Sequence, residues 1–289
     1  MSAANRAAGT SSSSGIREPI RDLRARLTEG RQKIQDQFQP GTRGTQVCNR
    51  LADLIDGVLR ELFDLVLQQQ GDAQELASKV ALVPCGGYGR RDVVPYSDVD
   101  LILLYDPRAT AQVRELSRRL VADMSDLGIT LGFSTRTISQ AVHLSRKDAA
   151  TFTSQAESRY LTGSTPLYNK YASRLKSDAK RRSKLYVQRI EQAREAERKQ
   201  YGETIYLLEP DVKRSLGGLR DIHLLRWIGF AKYGESRPSQ LRLMGLLRKE
   251  EERAIRQALD FLLRLRIELH FRAGRPNDIL NRFEQTRIA

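Results

Sequence analysis

Two short apolar runs flank a polar stretch that holds a glycine pair and two aspartates. The runs are residues 80–85 and 101–105, and between them lie Gly86 and Gly87, a polar connection, and then Asp98 and Asp100. Short runs rich in leucine and β-branched residues, bounded by glycine and proline, are typical of buried strands. The stretch therefore predicts a strand, a glycine turn, a loop and a second strand, with the chemistry in the middle.

The two aspartates are placed to share a metal ion. Side chains on a strand alternate between its faces, so Asp98 and Asp100 point to one side while Val99 points into the core. Two carboxylates on one face repel each other, and a hard divalent cation is the usual remedy. Mg²⁺ suits such a site because it binds two carboxylates and completes its shell with water and substrate phosphate oxygens.

The residues before the aspartates favour a phosphate ligand. Gly86 and Gly87 lack a Cβ, so backbone N–H groups can approach a phosphate closely. Arg90 and Arg91 add charge of the kind that forms bidentate phosphate contacts. A glycine turn for a triphosphate and an Asp-x-Asp pair for a metal together indicate nucleotidyl transfer. Either feature alone is more often an ordinary turn or loop, but their joint occurrence between apolar strands favours a catalytic site.

The formal net charge of +14 raises the question of nucleic-acid binding. Much of this charge lies in residues 170–199, a predicted helical region, and basic runs of that kind are most often solvated helix faces. The excess could also attract an acidic protein partner or nucleotide phosphates. RNA binding stays possible, but no aromatic-rich motif for stacking bases accompanies the charge, so nucleic acid is not the expected partner.

The composition indicates a cytoplasmic protein without a membrane span. No apolar run approaches the ~20 residues that cross a bilayer, and the N-terminus lacks the apolar core of a secretory signal. Cys48 and Cys85 are the only cysteines. They give no disulfide framework and fit a reducing compartment.

Apolar periodicity and turn residues divide the chain into helices and strands. Apolar residues at helical spacing predict helices, and the alternating, β-branched segment ITLGFSTRTI predicts a third strand. Helices are predicted at 16–38, 45–70, 111–127, in pieces over 139–161, from 163 to about 201, and at 219–233, with the third strand at 129–138. In the helix at 111–127, the residues expected to face inward are Val113, Leu116, Leu120, Val121 and Met124.

These elements predict an α+β chain. The Ser-, Ala- and Gly-rich start has little apolar surface to bury and is expected to be disordered. The predicted parts are a disordered tail at 1–15, N-terminal helices at 16–75, a core with the strands at 76–165, and a helical region at 166–289.

A second informative stretch, residues 206–227, surrounds another glycine pair, Gly217 and Gly218. The glycines predict a loop that is dense in groups able to handle phosphate and metal. The alternative is an ordinary loop before a helix, in which Asp221 complements the helix dipole, and the local chemistry does not decide between the two. His223 and Trp227 are interpreted as packing residues. The loop carries Glu209, Asp211, Lys213, Arg220 and Asp221.

Three segments carry a resemblance to a known family. The segment GGYGRRDVVPYSDVDLILLYD resembles the nucleotidyltransferase signature of the bacterial PII-uridylyltransferase family, and LEPDVKRSLGGLRDIHLLRW resembles that family's second long motif. The closing LLRLRIELHFRAGRPNDILNRFEQTRIA is similar to the segment that joins this domain to the next one in members of the family. The similarity spans most of residues 80–289, and two long motifs in the correct order make it specific.

The resemblance implies a DNA-polymerase-β-like nucleotidyltransferase domain, a small mixed sheet flanked by helices. It implies Mg²⁺-dependent transfer of UMP from UTP to a tyrosine hydroxyl of the signalling protein PII, with release of pyrophosphate. The acceptor oxygen would come from the partner, so no Ser-His-Asp or Cys-His arrangement is required. By motif, Asp98 and Asp100 would be catalytic and bind the metal. The nucleotide-binding candidates are Gly86, Gly87, Arg90, Ser97, Lys213, Gly217, Gly218 and Arg220.

The chain departs from the family pattern on the third strand. The family usually has glutamate and histidine there, within Leu-Glu-Val-Gly-His-Ser, where this chain has Thr130 and Phe133. A third carboxylate at the metal site would normally be sought on that strand, so its identity stays open, with Glu157 as a distant substitute. Leu216 stands where the family often has proline, which affects loop stiffness more than chemistry.

Family members are much longer and resemble a tandem of this transferase, a metal-dependent HD phosphohydrolase and two ACT domains. No His-Asp pair is visible here, so we expect a truncated product, a fragment or a stand-alone transferase half, without deuridylylation or glutamine sensing. Three functions stay open. They are uridylyl transfer to PII, nucleotidyl transfer with another base or acceptor, such as adenylyl transfer, and a degenerate binding module whose best support is Thr130. The base is not readable from the residues without the resemblance, and the oligomeric state stays open.

Overall fold

The computed structural model describes residues 17–289, so the tail predicted at 1–15 lies outside the described residues. Two long helices come first, α1 (Glu18–Asp36) and α2 (Gly44–Gln68), and the short helix α3 (Ala73–Lys79) comes after them. The apolar faces of α1 and α2 pack against each other and bury Leu23 and Leu59. Both long helices were predicted from their apolar spacing and are confirmed, whereas α3 was not predicted.

A four-stranded sheet with the order β3-β2-β1-β4 lies at the centre. Its strands are β1 (Val80–Pro84), β2 (Val99–Tyr105), β3 (Leu131–Arg136) and β4 (Thr162–Gly163). Strand β1 runs antiparallel to β2 and β4, while β2 runs parallel to β3, so the sheet is mixed. The three longer strands and the α+β class are confirmed; β4 was not predicted, because two residues are too short to show a period.

The connection from β1 to β2 is helical at the point where a glycine turn was predicted. Residues Gly86–Arg90 form the short helix α4 directly after β1. Gly86 has a φ of +53°, which glycine adopts without strain, and the N–H of Gly89 donates to the carbonyl of Cys85 at 2.7 Å. The predicted turn was therefore wrong in type, since the glycine bend continues into a helical turn.

Helix α5 (Thr110–Asp126) provides the crossover that makes β2 and β3 parallel. It buries Val113, Leu116, Leu120 and Met124 as expected. Val121 is 40% exposed, so its predicted inward position was wrong: one residue beyond Leu120, the helix has turned by about 100° away from the core. Two shorter helices, α6 (Ile138–Lys147) and α7 (Ala149–Ala156), confirm the helical pieces expected after β3.

The C-terminal region is helical, as predicted. Its helices are α8 (Thr165–Arg181), α9 (Ser183–Tyr201), α10 (Leu219–Tyr233), α11 (Pro238–Leu243), α12 (Lys249–Ala273) and α13 (Arg282–Ile288). Helix α12 packs against α2, where Asp260 accepts hydrogen bonds from the backbone and hydroxyl of Thr45 at 3.0 and 2.6 Å. The C-terminal helical region therefore contacts the N-terminal helices. Within residues 17–289, no helix combines the length and the apolar character needed to cross a membrane.

Candidate active site

A cavity of about 730 Å³ lies where the β1–β2 connection faces the loop before α10 and the segment after α12. Most of the site residues predicted from sequence line it, although they come from segments more than a hundred positions apart. The predicted residues on its wall are Gly86, Gly87, Arg90, Ser97, Asp98, Asp100, Lys213 and Arg220.

Both aspartates of the first motif face this cavity. Val99 between them is fully buried, and β2 begins at that residue, so Asp98 and Asp100 point to the opposite side. Burial, and then the negative charge of Asp98, raise the pKa of Asp100, although the charges of Lys213 and Arg90 oppose the shift. Among residues 17–289 neither carboxylate has a hydrogen-bond or ion-pair partner.

Two glycines make room for the Asp100 carboxylate. A Cβ on Gly86 would lie 2.7 Å from Oδ2 of Asp100, and a Cβ on Gly132 would lie 2.3 Å from its Oδ1. Gly132 is the partner of Asp100 in the β2–β3 ladder, so the carboxylate leans across the neighbouring strand. Gly132 was not predicted as a site residue; a glycine inside a strand, which often marks a close approach, was the available signal.

The donor atoms fit a hard divalent cation. Asp98 and Asp100 offer only carboxylate oxygens, and their mutual repulsion is relieved when a cation lies between them. Within the described part of the chain, no third His, Cys, Asp or Glu joins them to form a group of three. Glu157 is not a substitute, because its buried carboxylate accepts two hydrogen bonds from Arg226, at 3.1 and 2.9 Å. The backbone carbonyl of Thr130 accepts a hydrogen bond from the N–H of Val99.

Arg90 is held by the carboxylate of Asp92, which sequence analysis did not identify as a site residue. Its Nε donates to Oδ2 of Asp92 at 2.8 Å, and Nε2 of His223 lies 3.3 Å from the same oxygen. Burial works against ionisation of Asp92, but His223 and Arg90 outweigh it and hold the pKa of Asp92 well below its usual range. His223 is buried, as expected of a packing residue, yet it also lines the cavity and joins the second motif to the first.

Lys213 presents a cation to the cavity. Asp211 shapes the backbone there, because its Oδ1 accepts from the N–H groups of Lys213 and Arg214 at 2.8 Å each. Burial, together with the charge of Arg266, lowers the pKa of Lys213 to about 8. Its ammonium has no hydrogen-bond or ion-pair partner among the described residues, so it is available to a ligand.

The second glycine pair, Gly217 and Gly218, does not line the cavity. Gly217 has a φ of +82°, and its N–H donates to Oδ2 of Asp221 at 2.8 Å. Gly218 is the N-cap residue of α10, and a Cβ there would lie 2.9 Å from the carbonyl oxygen of Ser215. Asp221 pairs with Arg194 at the start of α10. The structure thus places these three residues in the turn that shapes the loop, which is the structural alternative left open by the sequence.

A further wall of the cavity comes from the segment after α12. Asp278 accepts from Nε of Arg266 at 2.7 Å and lies 3.1 Å from Nε2 of His270. An isolated bridge between Asp211 and Ile279 ties this segment to the loop that carries Lys213. Sequence reasoning missed these wall residues; the similarity of the closing segment to the family was the only available signal.

Comparison with known protein families places parts of this chain in the nucleotidyltransferase class. Residues 28–154 match the family described as putative nucleotidyltransferase DUF294, and residues 185–289 match the family described as GlnD PII-uridylyltransferase. An α+β chain with a small mixed sheet is consistent with a nucleotidyltransferase domain, and the comparisons support a nucleotidyltransferase enzyme.

Individual relatives then narrow the class. The chain is 31% identical over 273 residues to a bifunctional uridylyltransferase/uridylyl-removing enzyme of Bradyrhizobium sp., covering 93% of this chain and 29% of the relative. It is 33% identical over 270 residues to the enzyme of the same description from Burkholderia vietnamiensis, covering 92% of the chain and 30% of the relative. The resemblance seen in the sequence is confirmed: the chain is a relative of these uridylyltransferases and spans less than a third of their length.

Proposed function

We propose that this chain transfers UMP from UTP to a tyrosine hydroxyl of a PII protein and releases pyrophosphate. What supports the proposal is one arrangement within residues 17–289: two carboxylates without partners there, Asp98 and Asp100, share a cavity with the unpaired ammonium of Lys213 and the guanidinium of Arg90. Carboxylates for a metal and cations for phosphates are the groups that nucleotidyl transfer needs. The uridylyl group and the PII acceptor come from the names of the related proteins.

The reaction exchanges one phosphoester bond for another. The tyrosine oxygen forms a bond to the α-phosphorus of UTP, the bond from this phosphorus to the bridging oxygen breaks, and pyrophosphate leaves with that electron pair. The phenolic proton is released to water. The chain's own part is to hold the triphosphate through Lys213 and Arg90, with Asp92 fixing the orientation of Arg90. Gly86 and Gly87 let the backbone approach the phosphates closely.

Asp98 and Asp100 would hold Mg²⁺, which when bound neutralises charge on the phosphates. Arg220, also on the cavity wall, adds positive charge on the side of α10. The proposal places the reaction in the cytoplasm, where the buried free thiols of Cys48 and Cys85 stay reduced.

Mass spectrometry tests the proposal directly. A PII protein is incubated with the chain, Mg²⁺ and each nucleoside triphosphate in turn, and the mass gain identifies both the transfer and the base. We expect a gain of one UMP on tyrosine with UTP, lost in Asp98→Asn and Asp100→Asn. Asp126→Asn is the matched control, because Asp126 is exposed at the end of α5, away from the cavity. A gain of AMP would favour a transferase of another base specificity.

A non-catalytic binding module is the second candidate. Thr130 in place of the family's glutamate favours it, since the position offers a hydroxyl and a backbone carbonyl but no carboxylate. UTP binding without any mass gain, in Mg²⁺ and in Mn²⁺, would establish this function and refute the transferase.

A further inference from the structure

Strand β3 has an unpaired outer edge next to the catalytic carboxylate. It lies at the end of the sheet, and within the described part of the chain it pairs only with β2. The N–H of Val99 donates to the carbonyl of Thr130, and in a parallel ladder this directs the backbone groups of Leu131, Phe133 and Thr135 away from β2. No backbone group within residues 17–289 bonds to that outer side. Unpaired strand edges are sites where another chain can add a strand.

A second groove runs along the same strand. It has a volume of about 340 Å³. It is lined by the residues on one face of β3, which are Gly132, Ser134 and Arg136. Asp100 lines both this groove and the main cavity. Its carboxylate can therefore be reached from two directions: from the cavity with the phosphate-binding cations, and from the edge of the sheet.

Gly132 leaves the path from this edge to Asp100 open. The carboxylate leans over Gly132, since a Cβ at that position would lie 2.3 Å from its Oδ1. A strand added to β3 would lie about 5 Å beyond it, and roughly 10 Å from β2. A hydroxyl on such a strand must cross the width of β3, which the short side chains of serine and threonine cannot do. Tyrosine carries its hydroxyl far enough.

The charge of the groove complements an acidic segment. Arg136 donates from Nε to the hydroxyl of Ser134 at 3.2 Å and has no ion-pair partner among the described residues. The nearby Asp148 already accepts from the backbone and hydroxyl of Thr151 at 2.6 Å each, at the start of α7. A guanidinium without a carboxylate, half-buried beside the edge, attracts an acidic side chain.

We propose that the acceptor protein docks as an extended segment on the outer edge of β3, with its tyrosine crossing Gly132 toward Asp100 and an acidic neighbour on Arg136. This inference rests on the proposed function and deepens it, because it names the surface that receives the acceptor and explains why the hydroxyl belongs to tyrosine. Nucleotide and acceptor then reach Asp100 from two directions, the nucleotide through the cavity and the acceptor through the groove.

Two substitutions at residue 135 test the docking edge. Thr135→Pro removes an outward N–H without removing a bond to β2, and proline is tolerated on an edge strand in that orientation. Thr135→Val keeps the N–H and the side-chain shape and is the matched control. Binding of a PII protein, measured by fluorescence anisotropy, should weaken about tenfold in Thr135→Pro and in Arg136→Glu, while UTP affinity, measured by calorimetry, and the thermal midpoint stay near those of the unchanged chain.

The acceptor supplies the second half of the test. A PII protein whose target tyrosine is replaced by serine should still bind but receive no UMP. Unchanged PII binding in both Thr135→Pro and Arg136→Glu, or modification of the serine variant, would overturn the inference. PII binding that depends on this edge, without UMP transfer by the unchanged chain, would refute the proposed function and leave the docking surface standing. No PII binding by the unchanged chain would overturn both.

Discussion

Replacing Gly132 with alanine perturbs the proposed active site at the Asp100 carboxylate. The added Cβ would lie 2.3 Å from Oδ1 of Asp100 and 3.4 Å from its Cγ. Nonbonded carbon and oxygen atoms approach to about 3.3 Å, so the carboxylate has to move by about 1 Å. Its other oxygen already lies close to Gly86, where a Cβ would be 2.7 Å away, so the free space around it is small.

The expected loss is large in rate, while the chain stays folded. A misplacement of about 1 Å in a reacting site lowers the rate about 100-fold, equivalent to about 2.7 kcal/mol in activation free energy. Crowding of this kind lowers the free energy of unfolding by about 1–3 kcal/mol, which a domain of ordinary stability survives. The initial rate of UMP incorporation into a PII protein measures the first quantity, and urea denaturation the second.

Gly57→Ala is the control for the same chemical change elsewhere. Gly57 lies inside α2 with no atom within 4 Å of an added Cβ. Alanine there should leave the rate unchanged and stabilise the helix by roughly 0.5–1 kcal/mol. A Gly132→Ala enzyme that transfers UMP at the unaltered rate would refute the reasoning, because Asp100 would then either not lean over Gly132 or not take part in the reaction.

Three further predictions use charged side chains, two that line the cavity and one in a buried ion pair. Burial and Arg266 lower the pKa of Lys213 to about 8, so its side chain is charged below that pH and neutral above it. UTP binding, measured by calorimetry, should therefore weaken as the pH rises through about 8, and Lys213→Met should remove this dependence. Asp92→Asn weakens a charge-assisted hydrogen bond to Arg90 and should raise the KM for UTP about tenfold. It should also lower the thermal midpoint, because the lowered pKa of Asp92 means that its ionised form stabilises the folded chain. Arg226→Met leaves the buried carboxylate of Glu157 unpaired and should lower the free energy of unfolding, measured by urea denaturation, by about 3 kcal/mol. The double variant Arg226→Met with Glu157→Gln should recover part of the lost stability.

Local signals predicted the strands and the helices that are long enough to show a period. β1 is a continuous apolar run, and β2 is apolar from Leu101 onward. Helix α10 begins directly after a glycine pair and ends at Tyr233, before Gly234, as its sequence indicates. The helix α4 was missed because Gly86 and Gly87 indicate a turn equally well, and only the hydrogen bond from Gly89 to Cys85 decides for a helix. The sequence pattern of this short segment does not distinguish a turn from a helix.

The site was predicted where its residues share one motif and missed where they depend on contacts between segments. Asp98 and Asp100 are two positions apart, so the alternation of a strand suffices to place them on one side. The role of Asp92 becomes visible only when His223, far away in sequence, lies 3.3 Å from it. Asp278 likewise matters because the chain brings it back to Arg266. Long-range pairs of this kind have no sequence period.

The two regions that match different families build one cavity. The region at 28–154 supplies the paired aspartates and Arg90, and the region at 185–289 supplies Lys213 and Arg220. The contact of Asp92 with His223 joins them across the cavity floor, and the packing of α12 on α2 joins them at the other end of the fold. Since the aspartates and Arg90 come from one region and Lys213 and Arg220 from the other, we propose that both regions are needed to hold a triphosphate over the aspartates. The helical region therefore supplies part of the proposed active site, and substitutions in it should alter nucleotide affinity as directly as those in the sheet.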